Sequence, residues 1–174
     1  ALLFLGFAGA FRRSELVAVQ IEDLTFTTQG MVVFIPQSKG DQLGAGSEIA
    51  IPYAPQKEIC AVRAVRNWME AAGITSGPLF RGFKRNLQPR DTQLNDKAVA
   101  EIVKKYMARL GLDPSDFAGH SLRRGFATSA AQHDLNTLEI MRQTRHKSEK
   151  MVHRYIEQGN LFKENALDKM FNKK

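Results

Sequence analysis

The chain opens on a nearly continuous apolar run, which predicts a buried helix over residues 2–10. A secretory signal peptide is the alternative, but the basic residues Arg12 and Arg13 follow this run instead of preceding it. The run is also shorter than the about 18 apolar residues that cross a bilayer. We therefore expect a core helix near the start of an excerpt from a longer protein. A second short helix is predicted over 14–20, with Ser14 placed to cap it.

The next part of the chain has the short-period pattern of strands, rich in Val, Ile, Phe and Thr. Gln29-Gly30 suits the turn between the first two strands, and the second connection, residues 38–46, is rich in glycine. Such short connections favour antiparallel pairing. The predicted strands are Asp23 to Thr28, Met31 to Gln37 and Ser47 to Pro52.

The remainder of the chain returns to helical spacing. Amphipathic helices are predicted over 56–72 and 95–110, with Ile59 on the apolar face of the first and Tyr106 on that of the second. Residues 74–94, between them, are predicted to form a loop. Further helices are predicted at about 121–132, 136–144, 149–157 and 163–171. The sequence thus predicts a mainly helical α+β domain with a small three-stranded antiparallel sheet near the N-terminus.

Composition narrows the class of protein. The 174 residues suffice for one domain with a proper core, and the formal net charge of +7 favours a polyanionic partner, either nucleic acid or an anionic membrane surface. The single cysteine, Cys60, excludes an intramolecular disulfide and a multi-cysteine metal site, and it is typical of a reducing compartment. We expect it to be a small buried apolar residue.

A candidate phosphate clamp lies at the start of one of the later helices. His120 and Arg123 are three residues apart, so their side chains lie on the same side of a helix whose N-terminus attracts anions. An arginine there can bind two phosphate oxygens at once. The alternative is structural, with Arg123 in a salt bridge and His120 as a helix cap.

Two more candidate cations lie in the first part of the chain. Arg12 follows the apolar helix and precedes Glu15, which is better placed to orient an arginine than to act as a base. Lys39 stands on the glycine-flanked connection between two strands, from which it could act as a proton donor. The alternatives are an ordinary helix-end arginine and a solvated hairpin lysine.

A candidate nucleophile, Tyr155, lies nine residues after His146. His146 and Tyr155 lie on consecutive helical stretches near the end of the chain. Because the pKa of tyrosine is ordinarily near 10, its phenol becomes a useful nucleophile only where cations stabilise the phenolate. The other tyrosines, Tyr53 and Tyr106, are predicted to be structural. A separate basic cluster in the predicted loop is a candidate DNA-binding surface, formed by Arg81, Lys84, Arg85 and Arg90.

Taken in order, these residues resemble those of the tyrosine recombinases, the phage-integrase-type site-specific DNA recombinases, over nearly the whole chain. Glu15 stands in the usual acidic place of the first motif. The third motif of the family usually has the sequence Leu-Gly-His, and this chain departs from it with Thr144-Arg145-His146. The matched catalytic positions are Arg12, Lys39, His120, Arg123, His146 and Tyr155.

The resemblance implies that Tyr155 attacks the scissile phosphate and yields a 3′-phosphotyrosine and a free 5′-hydroxyl. Arg12 and Arg123 would then hold the non-bridging oxygens and stabilise the transition state. It also implies that Lys39 is the general acid for the leaving oxygen, that His120 assists proton transfer at the tyrosine, and that the second matched histidine binds the phosphate. No metal or other cofactor is expected.

The resemblance further implies a domain division and partners. We expect a catalytic domain over 1–158 with a truncated start, a missing N-terminal DNA-clamp domain, and a tail helix over 159–174. The expected partners are double-stranded DNA and other protomers of the same protein, as a tetramer on paired DNA sites and a monomer in isolation, with no membrane involved. The tail would fold back on its own domain or dock on a neighbour. A cytoplasmic location, in a protein of bacterial or phage origin, is expected.

Two other functions stay open. A type IB topoisomerase uses similar chemistry, although the histidine at position 120 favours the recombinases, since lysine is expected there in the topoisomerases. A non-catalytic DNA-binding module of the same fold is the other alternative. The presence of all six matched side chains argues against it.

Overall fold

A computed structural model describes residues 1–36, 45–86, 88–146, 148–159 and 170. These residues belong to two compact units, unit 1 at Ala1–Arg123 and unit 2 at Arg124–Lys174. Within the described ranges, no helix is both long and apolar enough to span a bilayer.

Unit 1 begins with two short helices, α1 at Leu2–Ala8 and α2 at Arg13–Ala18, which confirms both predicted helices at this end. The prediction that Ser14 caps the second helix was wrong, because α2 begins one residue earlier and Arg12 is its N-cap. Glu15, at the third helical position, accepts the backbone N–H of Arg12 and satisfies the helix end from inside.

The predicted antiparallel sheet is confirmed in unit 1, in the order β1-β2-β3. Alternate residues of β2 and β3 enter the core, as the period of two requires. Gly30 begins β2 because the backbone of β3 passes so close that a Cβ there would lie 2.2 Å from the carbonyl oxygen of Ile51. The strands are β1 at Leu24–Phe26, β2 at Gly30–Ile35 and β3 at Ser47–Pro52.

The predicted loop at 74–94 was wrong in part, because it contains a β-hairpin formed by β4 at Arg81–Phe83 and β5 at Pro89–Gln93. Its strands carry mostly polar or charged residues, and β5 is largely exposed. The sequence therefore has no alternation of apolar and polar residues that would predict these strands. The backbone N–H of Lys84 donates to the carbonyl of Gln88 and closes the hairpin.

Two amphipathic helices flank this hairpin in sequence, α3 at Ala61–Ala72 and α4 at Asp96–Arg109. The first begins later than predicted, because a short 3-10 turn precedes it and leaves Ile59 57% exposed. The placement of Tyr106 on a core stripe was also wrong, since its side chain is 44% exposed. Cys60 is fully buried, as predicted.

The core of unit 1 joins the first helices, the sheet and the inner faces of α3 and α4. Large aliphatic and aromatic side chains dominate it. Because burial of one such side chain contributes about 1.5–3 kcal/mol, this cluster is the main support of unit 1. Its largest fully buried members are Leu5, Phe11, Leu16, Met31, Val33, Val62, Val65, Leu79 and Val99.

The helices at the end of the chain are α5 at Ser121–Gln132, α6 at Thr137–Thr144 and α7 at Glu149–Gly159. Within the described part of unit 2, the buried cluster consists of small or β-branched side chains, namely Ala127, Ala130, Ala131, Ile140 and Val152. The predicted tail helix at 163–171 lies outside the described residues, apart from Met170.

Candidate active site

Arg12 is held at the start of α2 by a nearly buried carboxylate. Its Nη1 donates to Oε1 of Glu15 at 2.5 Å, and its backbone N–H donates to Oε2 of the same side chain at 3.0 Å. The Glu15 side chain is 3% exposed, whereas that of Arg12 is 21% exposed. The carboxylate thus fixes the guanidinium from the protein side and leaves part of it open to solvent, as a group that binds an external anion requires.

Arg123 is buried and reaches the connection between α1 and α2. Its Nη1 donates to the carbonyl oxygen of Ala10 at 2.8 Å. Ala10 has a left-handed backbone conformation with a φ of 46°, which is uncommon for a residue with a Cβ. The carbonyl of this turn accepts from Arg123, and Ala10 lies two residues before Arg12, so the guanidinium of Arg123 is anchored beside the start of α2.

His120 is exposed and lies in the turn that precedes α5. The backbone N–H of Ala118 donates to Oγ of Ser121 at 2.9 Å and tightens this turn. A Cβ at Gly119 would lie 2.7 Å from Cδ of Arg13, so the turn packs against the residue next to Arg12. Unit 1 therefore gathers Arg12, the His120 turn and Arg123 around the start of α2.

The neighbours of these two arginines are engaged elsewhere or exposed. Nε of Arg13 lies 3.0 Å from Oδ2 of Asp96 on α4, in a partly exposed ion pair. Arg124 is exposed. Arg123 and Arg124 are adjacent positions of α5 and diverge by about 100°, so the first can be buried while the second is exposed.

Lys39, the predicted proton donor, lies outside the described residues. Its placement therefore stays a prediction.

The predicted basic surface is carried by the β4–β5 hairpin, and its members differ in how they are held. The Arg81 side chain is 13% exposed, and its guanidinium donates to the carbonyls of Pro78 and Ser76. Arg81 thus braces the hairpin from behind. Lys84, Arg85 and Arg90 are exposed.

In unit 2, the end of α6 holds the second matched histidine. Arg145 follows the helix in the left-handed conformation, with φ 55° and ψ 41°, and reverses the chain direction. This turn brings the imidazole of His146 back to the last helical residue, Thr144, whose Oγ1 lies 2.8 Å from Nδ1 of His146.

Tyr155 lies on α7 beside that imidazole. The ring centroids of His146 and Tyr155 are 5.9 Å apart, with 33° between the planes. The Tyr155 side chain packs partly against the buried cluster of unit 2, which is rich in alanine. It also lines a recess of about 310 Å³ on the surface of that unit. The other residues of the recess are Ser148, Lys150, Met151 and Arg154.

The remaining tyrosines contact arginines outside this recess. Arg63 lies 5.3 Å from the ring centre of Tyr53, and Arg109 lies 5.2 Å from that of Tyr106. These contacts are cation–π interactions on the surface of unit 1. The structural roles expected for Tyr53 and Tyr106 stay predictions.

Sequence reasoning missed three side chains around His146 and Tyr155. Thr144 contacts the imidazole, and Lys150 and Arg154 add two positive charges to the recess. Lys150 and Arg154 are four residues apart and share a face of α7, but Lys150 is five residues from Tyr155, so helical spacing alone does not place it beside the tyrosine. Thr144 was visible only as a departure from the usual motif.

Across the described residues, no group of three or more His, Cys, Asp or Glu side chains is arranged to hold a metal ion.

Comparisons with known proteins show the family to which the chain belongs. Residues 1–160 match the Phage integrase family. The chain is 69% identical over 173 residues to an integrase/recombinase xerD homolog of Selenomonas ruminantium, a match that covers 99% of this chain and 51% of that protein. The chain therefore spans about half the length of the curated relative it matches.

Solved structures show the same fold. The XerH site-specific recombinase, bound to a palindromic difH substrate in a post-cleavage complex, aligns with a TM-score of 0.68 at 17% identity, over 98% of this chain and 44% of that one. The Tn1549 transposon integrase, in complex with transposon right end DNA, aligns with a TM-score of 0.58 at 19% identity, over 88% of this chain and 52% of that one. Since the family match covers most of the sequence, the chain belongs to the Phage integrase family.

Proposed function

We propose that this chain is the catalytic domain of a site-specific DNA recombinase that cleaves and rejoins strands through a 3′-phosphotyrosine intermediate. The observation that carries the proposal is the setting of Tyr155, which lies beside the imidazole of His146 in a recess that also contains Lys150 and Arg154. A tyrosine with only a packing role does not need an imidazole and two cations beside it. A tyrosine nucleophile does, because its phenol must become a negatively charged phenolate.

In this proposal, the phenolic oxygen of Tyr155 attacks the phosphorus and forms the new P–O bond, while the bond to the 5′-oxygen breaks. The phenol loses its proton with the assistance of His120, and Lys39 gives a proton to the leaving 5′-oxygen. One phosphoester replaces another, so the reaction consumes no nucleotide and the reverse attack by a 5′-hydroxyl reseals the strand.

The transition-state charge is met by groups fixed in advance. Arg12 and Arg123 hold the non-bridging oxygens, and His146 adds a hydrogen bond. The support for this assignment is that Glu15 and the carbonyl of Ala10 already hold the two guanidiniums in unit 1. Donors that are oriented before the reaction stabilise a transition state without the cost of reorganisation. With this set of cations, the proposed reaction requires no metal or other cofactor.

The proposed partner is double-stranded DNA. The net charge of +7 and the exposed hairpin cations Lys84, Arg85 and Arg90 suit a polyanion. The relatives named above include proteins solved on DNA, which supports the same assignment for this chain. A cytoplasmic location fits a DNA partner in a bacterium and stays a prediction.

A suicide substrate, nicked near the cleavage site, tests the central step. The wild-type chain should form a covalent adduct on this DNA, because the released fragment cannot return to reseal the strand. The Tyr155→Phe variant should bind the same DNA with affinity within about twofold of wild type, since only one hydroxyl is lost, yet form no adduct. Tyr106→Phe, an exposed tyrosine in unit 1, is the matched control and should keep full adduct formation. An adduct that persists in Tyr155→Phe would rule out this nucleophile.

We further propose that 1–158 is the catalytic body and that 159–174 is a tail that docks on a neighbouring protomer in a tetramer on paired DNA sites. The apolar residues of the tail, such as Leu161 and Phe162, need a surface on which to bury. Deletion of 161–174 should weaken cooperative complexes on paired sites more than single-site binding, as gel-shift titrations would measure. If the deletion instead unfolds the free domain and leaves assembly unchanged, the tail packs on its own domain.

The nearest rival activity is topoisomerase-like DNA relaxation. A supercoiled plasmid without recombination sites separates the two functions. Relaxation of this plasmid, together with failure to join two specific sites, would favour the topoisomerase. His120, which is exposed, is the residue that favours a recombinase over a topoisomerase, because lysine is expected at this position in the topoisomerases.

A further inference from the structure

Thr144 is the last residue of α6, and its hydroxyl lies between two partners. The side chain is fully buried. Its Oγ1 donates to the carbonyl oxygen of Ile140 at 2.6 Å, and it lies 2.8 Å from Nδ1 of His146. Both contacts have ordinary hydrogen-bond lengths. The hydroxyl therefore connects the helix end directly to the imidazole.

The proton count on this hydroxyl fixes the tautomer of His146. A threonine hydroxyl has one hydrogen, and a carbonyl oxygen can only accept. Because the carbonyl of Ile140 takes that hydrogen, Oγ1 can only accept from the ring. Nδ1 of His146 must therefore carry a proton, and the second ring nitrogen, Nε2, is the one whose protonation can change.

The backbone conformation of Arg145 also brings His146 back to Thr144. Arg145 has the left-handed conformation that glycine adopts most easily, and its Nη1 donates to the carbonyl of Gln143 at 3.0 Å. The single-residue turn returns His146 to Thr144. The pairing of a threonine and an arginine before the histidine is thus a coherent replacement for the Leu-Gly sequence that is usual at this motif.

We infer that Thr144 is a positioning residue that keeps a proton on Nδ1 of His146 and so presents Nε2 to the reacting phosphate. The functional part of this inference rests on the proposed role of His146 in strand cleavage. With Nδ1–H fixed, a neutral His146 has only a lone pair at Nε2. It can donate a hydrogen bond to a phosphate oxygen only after it has taken a second proton and become positively charged.

Several charged or titratable groups of unit 2 lie beside this imidazole or beside the tyrosine that contacts it. Tyr155 on α7 lies beside the ring, and Arg145 precedes it in the chain. Lys150 and Arg154 share the recess with the tyrosine. All but the phenol are cations at neutral pH. Bound DNA would add negative phosphate to this set, and a phosphate favours the charged imidazole.

The tautomer can be measured directly in the free chain. Long-range proton–nitrogen NMR spectra of the ¹⁵N-labelled protein distinguish the two neutral forms, and loss of one set of signals in His146→Gln identifies those of His146. Above the histidine titration range, wild type should show the Nδ1–H form. The Thr144→Ser variant should also show it, because the serine hydroxyl keeps both hydrogen bonds.

Thr144→Val removes the acceptor of Nδ1–H, so the population of the Nε2–H form, which histidine prefers in water, should rise. Valine has nearly the same shape, and the carbonyl of Ile140 keeps its place in the backbone hydrogen bonds of α6. Thr137→Val makes the same chemical change at the start of α6 and should leave the spectrum of His146 as in wild type. An Nε2–H form in wild type, or identical tautomers in wild type and Thr144→Val, would overturn the inference. If the valine variant fails to fold, the wild-type and serine spectra still decide.

The pH dependence of cleavage on the suicide substrate gives the functional readout. In wild type, the share of charged His146 falls by up to about tenfold per pH unit above its pKa, whereas a released imidazole in Thr144→Val can donate through Nε2–H while neutral. The ratio of the valine rate to the wild-type rate should therefore rise with pH, and Thr144→Ser should keep the wild-type profile. A ratio that does not change with pH would contradict the functional part. Absence of any adduct in wild type would instead refute the proposed function and leave the NMR result standing.

Discussion

Units 1 and 2 hold their functional side chains in different ways. In unit 1, Arg12 and Arg123 are each fixed by a buried or nearly buried partner, next to a core of large aliphatic and aromatic residues. In unit 2, the described buried cluster around Tyr155 is mainly alanine. An alanine buries far less apolar area than a leucine or a phenylalanine, so each contact contributes less stabilisation.

This difference matches the work proposed for each unit. Groups that stabilise a transition state are most effective when they are immobilised before the substrate arrives. A nucleophile must instead approach the phosphorus, form a bond and later release it. The molecule thus places its largest buried side chains beside the two arginines proposed to hold the phosphate, and it supports the tyrosine with fewer and smaller side chains.

The largest expected effect comes from the loss of the buried arginine. Arg123→Ala should lower the rate of adduct formation by about 10²–10³-fold, the usual cost of one transition-state donor. It should also destabilise unit 1, because the carbonyl of Ala10 loses its charged donor inside the protein, at a cost of about 1–3 kcal/mol. Single-turnover cleavage and chemical denaturation measure the two effects.

Arg124→Ala is the matched control for this prediction. Arg124 is the next residue, with the same chemistry, but it is exposed and belongs to unit 2. We expect stability within about 0.5 kcal/mol of wild type and a nearly unchanged cleavage rate. Equal losses in the two variants would mean that burial in unit 1 is not what makes Arg123 effective.

The next effect concerns the carboxylate behind Arg12. Glu15→Gln keeps the shape and one acceptor oxygen but removes the charge that holds the guanidinium, so the cleavage rate should fall by about tenfold through misplacement of Arg12. Stability should fall by about 1–3 kcal/mol, since Arg12 loses a charged partner at the edge of the core.

Unit 2 offers a close equivalent of Glu15 for comparison. Glu139 also occupies the third position of a helix and accepts the backbone N–H of the N-cap, Asn136, at 2.8 Å, but it is exposed. Glu139→Gln should therefore cost less stability than Glu15→Gln and leave cleavage unchanged. Similar stability losses in the two variants would show that the capping bond, rather than the pairing with Arg12, explains the role of Glu15.

The contacts of the two arginines in unit 1 show how much of the site could be predicted from the sequence. The pairing of Arg12 with Glu15 was predictable, because three residues at a helix start bring the groups together whatever the rest of the chain does. The contact between Arg123 and Ala10 was not, since it joins positions 113 residues apart and depends on an unusual φ at Ala10. Local pairs follow from spacing, and long-range pairs follow from packing.

The same division holds for the fold. The three-stranded sheet was predicted correctly because its strands carry a buried apolar face. The β4–β5 hairpin was missed because its strands are short, polar and mostly exposed, and backbone hydrogen bonds, to which sequence patterns are blind, define it. Tyr106 shows the limit of helical periodicity, which locates a stripe but not its edge.

The smallest expected effects come from removing single positive charges, and they should differ between the two units. Lys84 and Arg85 on the hairpin are exposed in unit 1, whereas Lys150 and Arg154 share the recess of Tyr155 in unit 2. The logarithm of affinity for DNA should fall with the logarithm of salt concentration, with a slope of roughly −4 to −7 if about five to eight phosphates are contacted. Each of Lys84→Ala and Arg85→Ala should make this slope shallower by about one, as fluorescence anisotropy titrations would measure.

The corresponding changes in unit 2 should act on rate. Lys150→Ala and Arg154→Ala remove charge beside the phenol, so they should slow adduct formation at saturating DNA, a condition under which the two hairpin variants match wild type. Arg81→Ala completes the comparison, because its side chain braces the hairpin through the carbonyls of Pro78 and Ser76. It should lower stability more than it changes the salt slope. If the hairpin variants slowed the reaction at saturating DNA, or if affinity were independent of salt, the assignment of DNA affinity to unit 1 and of nucleophile activation to unit 2 would be wrong.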